Sequence, residues 1–247
     1  MQGKDKKLFT SSLEITQGYA CDALIINKML SFYIQYIVPF FVLIPLFIGF
    51  RNYRIPVPAF RIIFWFVLFS AIVNGIVIAL SHQGVHTSFI FHIYTVFEFL
   101  FLSLFYLQVF GKDTRKIIIP LIALFSLWCI YNYLFLQNGD KVNTYTRPIE
   151  AIIVMLYGML FINRQNNVER DASWGSDGLN WINTGILIYY ASNLFVFVFF
   201  NFLVNSERYM FEIAMSLHDT LMIAEYVLFA IGFYKCKSEK AVSLPSE

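Results

Sequence analysis

Charge is what this sequence has little of. Only 14% of its 247 residues are Asp, Glu, Lys or Arg, where a water-soluble domain usually carries about 25%. A soluble fold would have to cover a chain that is 58% hydrophobic, and there is too little polar surface to do so. The net charge of +2 is too small for the basic field that holds nucleic acid, so no nucleic-acid partner is expected. Cysteine is sparse as well. Cys21, Cys129 and Cys236 stand far apart, which gives neither a disulfide framework nor a metal-ligand spacing. Cys129 reads as a small hydrophobe in an apolar run. Cys236, between Lys235 and Lys237, is where acylation would fit. Polar and apolar residues do not alternate, which excludes a strand barrel. There is no internal repeat and no soluble catalytic domain, so a signalling role would need a partner to carry the output.

Long apolar runs are what the sequence has in quantity. Seven cover roughly 31–50, 60–81, 88–110, 117–136, 148–163, 180–204 and 210–234, each near the ~20 residues that span a bilayer. The expectation is an all-α polytopic transmembrane bundle of about seven helices over 29–236, integral to the membrane, with the lipid bilayer as its first partner. Residues 1–28 form a polar N-terminal tail without the apolar stretch of a signal peptide. Met29 directly precedes the first run, so a start at Met29, with the tail a mis-called extension, is an alternative that N-terminal sequencing of the native protein would decide. Residues 237–247 read as a short cytoplasmic tail.

The basic residues are asymmetric. Arg51, Arg54 and Arg61 lie between the first two runs, Lys112, Arg115 and Lys116 after the third, Arg164 and Arg170 after the fifth, and Lys235, Lys237 and Lys240 after the seventh. The other loops hold Lys141, Arg147 and Arg208. Cytoplasmic loops are the basic ones, so the orientation is N-out/C-in. Lys4, Lys6, Lys7 and Lys28 pull the other way, one tail against four segments. Trp181, Tyr209, Tyr106 and Tyr234 read as interfacial aromatics at helix ends. Pro148 suits a first helical turn, with Arg147 beside it snorkelling to the headgroups. Ala71, Gly75 and Ala79 are four apart, with Asn74 beside them, the spacing of a helix-packing stripe.

Ionisable and amide side chains inside such helices need a reason, because a charge at mid-bilayer costs several kcal/mol. The third run holds His92, Tyr94, Thr95 and Glu98, with Tyr94 and Glu98 on one face. Glu98 sits near the middle of a Phe- and Leu-rich helix and must be neutral, paired or hydrated. It reads either as a ligand contact, proton carrier or general acid/base, or as a helix-joining hydrogen-bond donor. Glu150 is one turn from Arg147, which predicts a local ion pair near the outer surface. Asn183, Tyr189, Tyr190, Ser192 and Asn193 lie on the sixth run, the asparagines suited to bonding a neighbouring helix. The seventh carries Glu212 and Asp219 on one face and His218 and Glu225 on another. The ligand-binding candidates are therefore Tyr94, Glu98, Arg147, Glu150, Asn183, Tyr189 and Asn193. The catalytic candidates are His92, Glu98, His218 and Asp219. A zinc ion would use His82, His86, His92 and Asp219, but Gly84 interrupts the first pair, and zinc is not expected.

The runs His92-Ile-Tyr94-Thr-Val-Phe-Glu98-Phe99, Tyr145-Thr-Arg147-Pro-Ile-Glu150 and Trp181-Ile-Asn183-Thr-Gly185-Ile-Leu-Ile-Tyr189 resemble motifs of a family of uncharacterised bacterial seven-helix integral membrane proteins. The resemblance runs from about Met29 onward and implies architecture but no mechanism. Microbial rhodopsins hold retinal on a Lys in the last helix; here no Lys precedes Lys235 in that run, so no retinal is expected. Alkaline ceramidase-like membrane hydrolases pair late-helix histidines around zinc, and this chain has only His218 there. The function expected is a non-catalytic sensor or partner-binding membrane module taking a small apolar or amphipathic ligand, with a protein partner in the membrane. The alternatives are a membrane-embedded lipid hydrolase using the His/Glu/Asp candidates, and a transporter or proton path, the last disfavoured by the lack of an inverted repeat.

Overall fold

A computed structural model describes residue 33 and residues 37–52, 57–137, 143–166, 174–206 and 208–236. The tail 1–28 with its lysines and Cys21, Met29, Arg54, Lys141, Arg170, Asp171, Lys237, Lys240 and the tail 237–247 lie outside the described residues, as do the side chains of Arg208 and Tyr209. The described residues form seven helices and no strand. They are α1 (Val38–Arg51), α2 (Pro58–His82), α3 (Ser88–Phe110), α4 (Arg115–Tyr131, prolonged by Asn132–Leu136), α5 (Thr146–Asn166), α6 (Gly178–Val204) and α7 (Arg208–Cys236). Six of them, α2 to α7, are long and apolar enough to cross a membrane by length and composition. This is the all-α polytopic bundle that the apolar runs predict, with the boundaries of α2 to α7 within a few residues of the runs; the start of the first run lies outside the described residues.

Side-chain placement is that of a protein whose solvent is lipid. Phe50 is 77% exposed and Phe47 71%, whereas Glu98, Glu150 and Asn193 are 3% or less exposed. Large apolar side chains face out and polar ones face in, the reverse of a soluble fold, where exposed apolar surface on this scale is rare. Helices α1, α2, α3, α5, α6 and α7 close a ring through neighbouring contacts, and α4 leans on α3 from outside.

Cross-helix contacts order the ends. Asn52 Nδ2 donates to the Phe233 carbonyl at 3.0 Å, Arg164 donates to the Phe110 carbonyl at 2.9 Å, and Gly178 abuts Gly232. Arg51, Lys112, Arg164 and Lys235 therefore gather at one end, the basic end, together with the start of α6. The packing that fixes this end runs through glycines. A Cβ on Gly178 would lie 2.5 Å from the Gly232 carbonyl oxygen, and one on Gly185 3.2 Å from Leu228. Helices approach this closely in membranes where side chains are small.

Two expectations fail here. The Ala71/Gly75/Ala79 stripe is not a continuous packing face among the described residues: Ala71 packs against the core, but Gly75 is exposed with nothing within 4 Å of a Cβ placed on it. Tyr106 is not interfacial. It is fully buried and donates to Asn183 Oδ1 at 2.8 Å, because a phenol inside the bundle needs a polar partner. Tyr234, 66% exposed, fits the interfacial reading. Cys236 is buried, which leaves its sulfur badly placed for acylation.

Candidate functional site

The site lies toward the end opposite the basic one, where polar side chains at the end of α4 and just before α5 are buried. Asn132, Gln137, Asn143, Thr144 and Thr146 are shielded from solvent and must satisfy their polar atoms within the protein. They do so as a network. Asn132 Nδ2 donates to Gln137 Oε1 at 2.8 Å and to Asn143 Oδ1 at 3.2 Å. Gln137 Nε2 donates to Thr144 Oγ1 at 2.6 Å, Asn143 Nδ2 to Thr95 Oγ1 at 3.0 Å, and Thr146 Oγ1 to Asn143 Oδ1. Asn201 Nδ2 adds a longer bond to Thr144 at 3.4 Å. The segment is thereby pinned to α3, α4 and α6, and α5 begins inside the bundle with Thr146-Arg147-Pro148.

That inward start changes what Arg147 does. The structure corrects the snorkelling expectation: Arg147 turns into the bundle, and its Nη1 donates both to Glu98 of α3 and to Glu150 one turn along α5, the latter at 3.1 Å. The Arg147–Glu150 ion pair is present as predicted, yet it is not near the surface, because Glu150 is 0% exposed. Glu98 is paired, across helices, by the one cation found inside the bundle among the described side chains. The guanidinium also lies 5.5 Å from the ring centroids of both Tyr94 and Phe197, which adds cation–π attraction where water is excluded. Tyr94 is held in turn by Ser70, hydroxyl to hydroxyl at 3.0 Å, and by stacking on Phe69. One cation thus serves two carboxylates, and Glu225 on α7, 4% exposed, lies within electrostatic range of Glu98.

In front of Arg147 is a cavity of about 240 Å³ whose lining includes Arg147, Asn143, Thr144, Phe197, Phe200 and His218. His218 packs against Tyr189 at 5.6 Å and Phe197 at 5.8 Å between ring centroids. Its Nδ1 is buried with no hydrogen-bond partner among the described residues. The arrangement resembles a ligand pocket in general form: mostly apolar walls with a few convergent polar groups.

The predicted site residues divide accordingly. Tyr94, Glu98, Arg147 and Glu150 converge, and Tyr189 joins them through His218. Asn183 does not; it lies toward the basic end, bonded to Tyr106 and, through Nδ2 at 3.3 Å, to the Gly158 carbonyl. Asn193 is fully buried with neither amide atom paired among the described residues. The zinc constellation does not assemble. His82 and His86 are exposed, His92 is buried edge-on to Tyr133, and among the described residues no group of three or more His, Cys, Asp or Glu is placed to hold a metal. Asp219 is buried on α7, with Oδ2 unpaired among the described residues.

Sequence reasoning missed Asn143, Thr144, Thr146 and the aromatic walls Phe197 and Phe200. The available signal was the density of amides and hydroxyls from Asn132 to Thr146, more than an exposed turn needs. No family model matches the chain, and neither a curated protein nor a solved structure matches it; what this protein is similar to therefore rests on the residue patterns alone.

Proposed function

We propose that this protein is a non-catalytic ligand-binding module of the membrane, a sensor or partner subunit that encloses a small amphipathic molecule between α3, α5, α6 and α7. The observation that carries this reading is the cavity in front of Arg147, with the guanidinium fixed from behind by Glu98 and Glu150. An arginine so held is preorganised, so little ordering opposes ligand capture. The orientation that fits is the basic end in the cytoplasm, by the bias of Lys and Arg to that side, in a bacterial inner membrane. The pocket then opens toward the outer half of the bilayer, and the output passes to a protein partner.

The test is native mass spectrometry of the protein released from lipid nanodiscs, wild type beside Val196→Trp and Met215→Trp, which fill the cavity from α6 and α7. The expected result is a bound small molecule, native or added from a set of medium-chain amphiphiles, on the wild type and on neither filled variant. Equal occupancy of all three, or none on a folded wild type, would overturn the reading.

A further inference from the structure

The walls of the cavity also constrain the chemistry of its occupant, an argument that rests on the ligand-binding reading above. The donors come first. A guanidinium has five N–H groups, and the bonds of Arg147 to Glu98 and Glu150 both leave from Nη1, so N–H groups remain for the cavity that Arg147 lines. Thr144 Oγ1 accepts from Gln137 and from Asn201, which leaves its own proton to donate. The head of a ligand here must accept hydrogen bonds.

Charge then selects among acceptors. The guanidinium is already opposed by two carboxylates, on side chains no more than 3% exposed. An anionic head would add negative charge to a cation that this carboxylate pair already balances, in a largely buried site where an unbalanced charge is disfavoured. A cationic head fares no better, because the charge that the cavity presents to it is the guanidinium, while Glu98 and Glu150 stand behind. Size is the third constraint. A cavity of about 150 Å³ holds benzene; one of about 240 Å³ holds roughly ten non-hydrogen atoms on the same scale. The cavity is partly open, so this volume limits the part of a ligand held within it, and a whole diacyl lipid does not fit.

We infer that the pocket takes a small neutral amphiphile with a carbonyl or hydroxyl head set against Arg147 and Thr144 and an apolar body lying on Phe91, Phe197, Phe200 and Met215. Its aromatic and thioether walls suit an alkyl or aryl body without demanding one shape.

Three photoreactive probes of equal length, each with a diazirine on the body, separate the alternatives: a methyl ketone, a carboxylate and a primary ammonium. The wild-type protein in nanodiscs is labelled with each, and the labelled peptides are mapped and normalised to labelling of the lipid-facing α4. The ketone is expected to mark the Val196–Phe200 and Met215 segments about tenfold more than either charged probe, equivalent to about 1.4 kcal/mol. Thr144→Val, which keeps the shape and removes one donor, should lower ketone labelling several-fold while leaving α4 labelling unchanged. Carboxylate or ammonium labelling equal to that of the ketone would overturn the charge inference and leave the pocket standing. If no probe marks the pocket, the ligand-binding reading falls with it.

Discussion

The two halves of this bundle are stabilised by different means. Toward the basic end, α6 and α7 meet through Gly178, Gly185 and Gly232, and the gaps are filled by Phe105, Tyr106 and Phe229, all 0% exposed. Its polar cross-links are few: Asn183 with Tyr106 and with the Gly158 carbonyl, Asn52 with the Phe233 carbonyl and Arg164 with the Phe110 carbonyl. Toward the other end the helices surround a cavity, polar residues on either side of the α4–α5 connection are buried, and one arginine opposes two carboxylates. Among the described residues, buried polar atoms without partners are more numerous here and at mid-bundle, as at Glu150 Oε1, Tyr190 Oη, His218 Nδ1 and Glu225 Oε1, than at the basic end, where Asn180 Oδ1 is one. Packing contacts hold regardless of what is bound, whereas a polar cluster with spare valences changes its energy when a ligand or proton arrives. The first half is built to be rigid and the second to respond.

The largest effect should come from breaking the charged half. Arg147→Ala leaves Glu98 and Glu150 buried against each other, and removal of one partner of a buried pair costs about 3–5 kcal/mol. Unfolding by SDS titration in mixed micelles should show that loss, or the variant should fail to accumulate. The triple variant Arg147→Met, Glu98→Gln, Glu150→Gln sharpens the point. It removes the charges together, so it should recover most of the stability while ligand capture stays lost. If Arg147→Ala is as stable as wild type, the cluster is hydrated and the contrast between the halves fails.

The next effect belongs to the packed half. Gly178→Ala places a methyl 2.5 Å from a backbone oxygen of α7, which only a shift of the helices relieves. Overpacking of this kind costs about 1–3 kcal/mol, measured by the same titration. A destabilisation smaller than that of substitutions in the pocket walls would show that α6 and α7 are not tightly fixed at this end.

What the sequence discloses follows from which forces are local. A span needs about 20 apolar residues in a row, so α3 is read correctly over 88–110 and α6 nearly so. Glu98, Arg147 and Glu150 stand out because charge in such helices is rare, and their identity as site residues is legible from type alone. Their partnership is not. Periodicity places Glu98 on a face of α3 but is silent on which helix it meets, and Arg147, near a helix start, reads equally well as a snorkelling anchor. The burial of Asn132, Gln137, Asn143, Thr144 and Thr146 depends on amide and hydroxyl bonds between residues up to 57 positions apart, Asn201 to Thr144, which no short window of sequence contains. Glycine spacing misleads for the same reason. Gly75 and Ala79 of the stripe on α2 are exposed, while the close approaches use Gly178, Gly185 and Gly232, set by where α7 crosses α6.

The smallest expected differences test whether that last distinction is real. Tyr106→Phe removes the bond to Asn183 and leaves its Oδ1 unpaired. Interhelical hydrogen bonds of this sort average about 0.6 kcal/mol in a membrane, so the loss should be measurable but minor, and Asn183→Leu combined with Tyr106→Phe should be less than additive because the two share one interaction. Gly75→Ala should do less still, within about 0.5 kcal/mol of wild type, since nothing lies within 4 Å of the added methyl. Alanine is also the better helix former, by about 1 kcal/mol in an exposed helix interior, so a slight gain is the natural outcome for a residue that touches no other described side chain. A loss of the size seen at Gly178 would mean that this face of α2 is covered, and cross-linking through Gly75→Cys between copies of the protein would then show whether a second copy covers it.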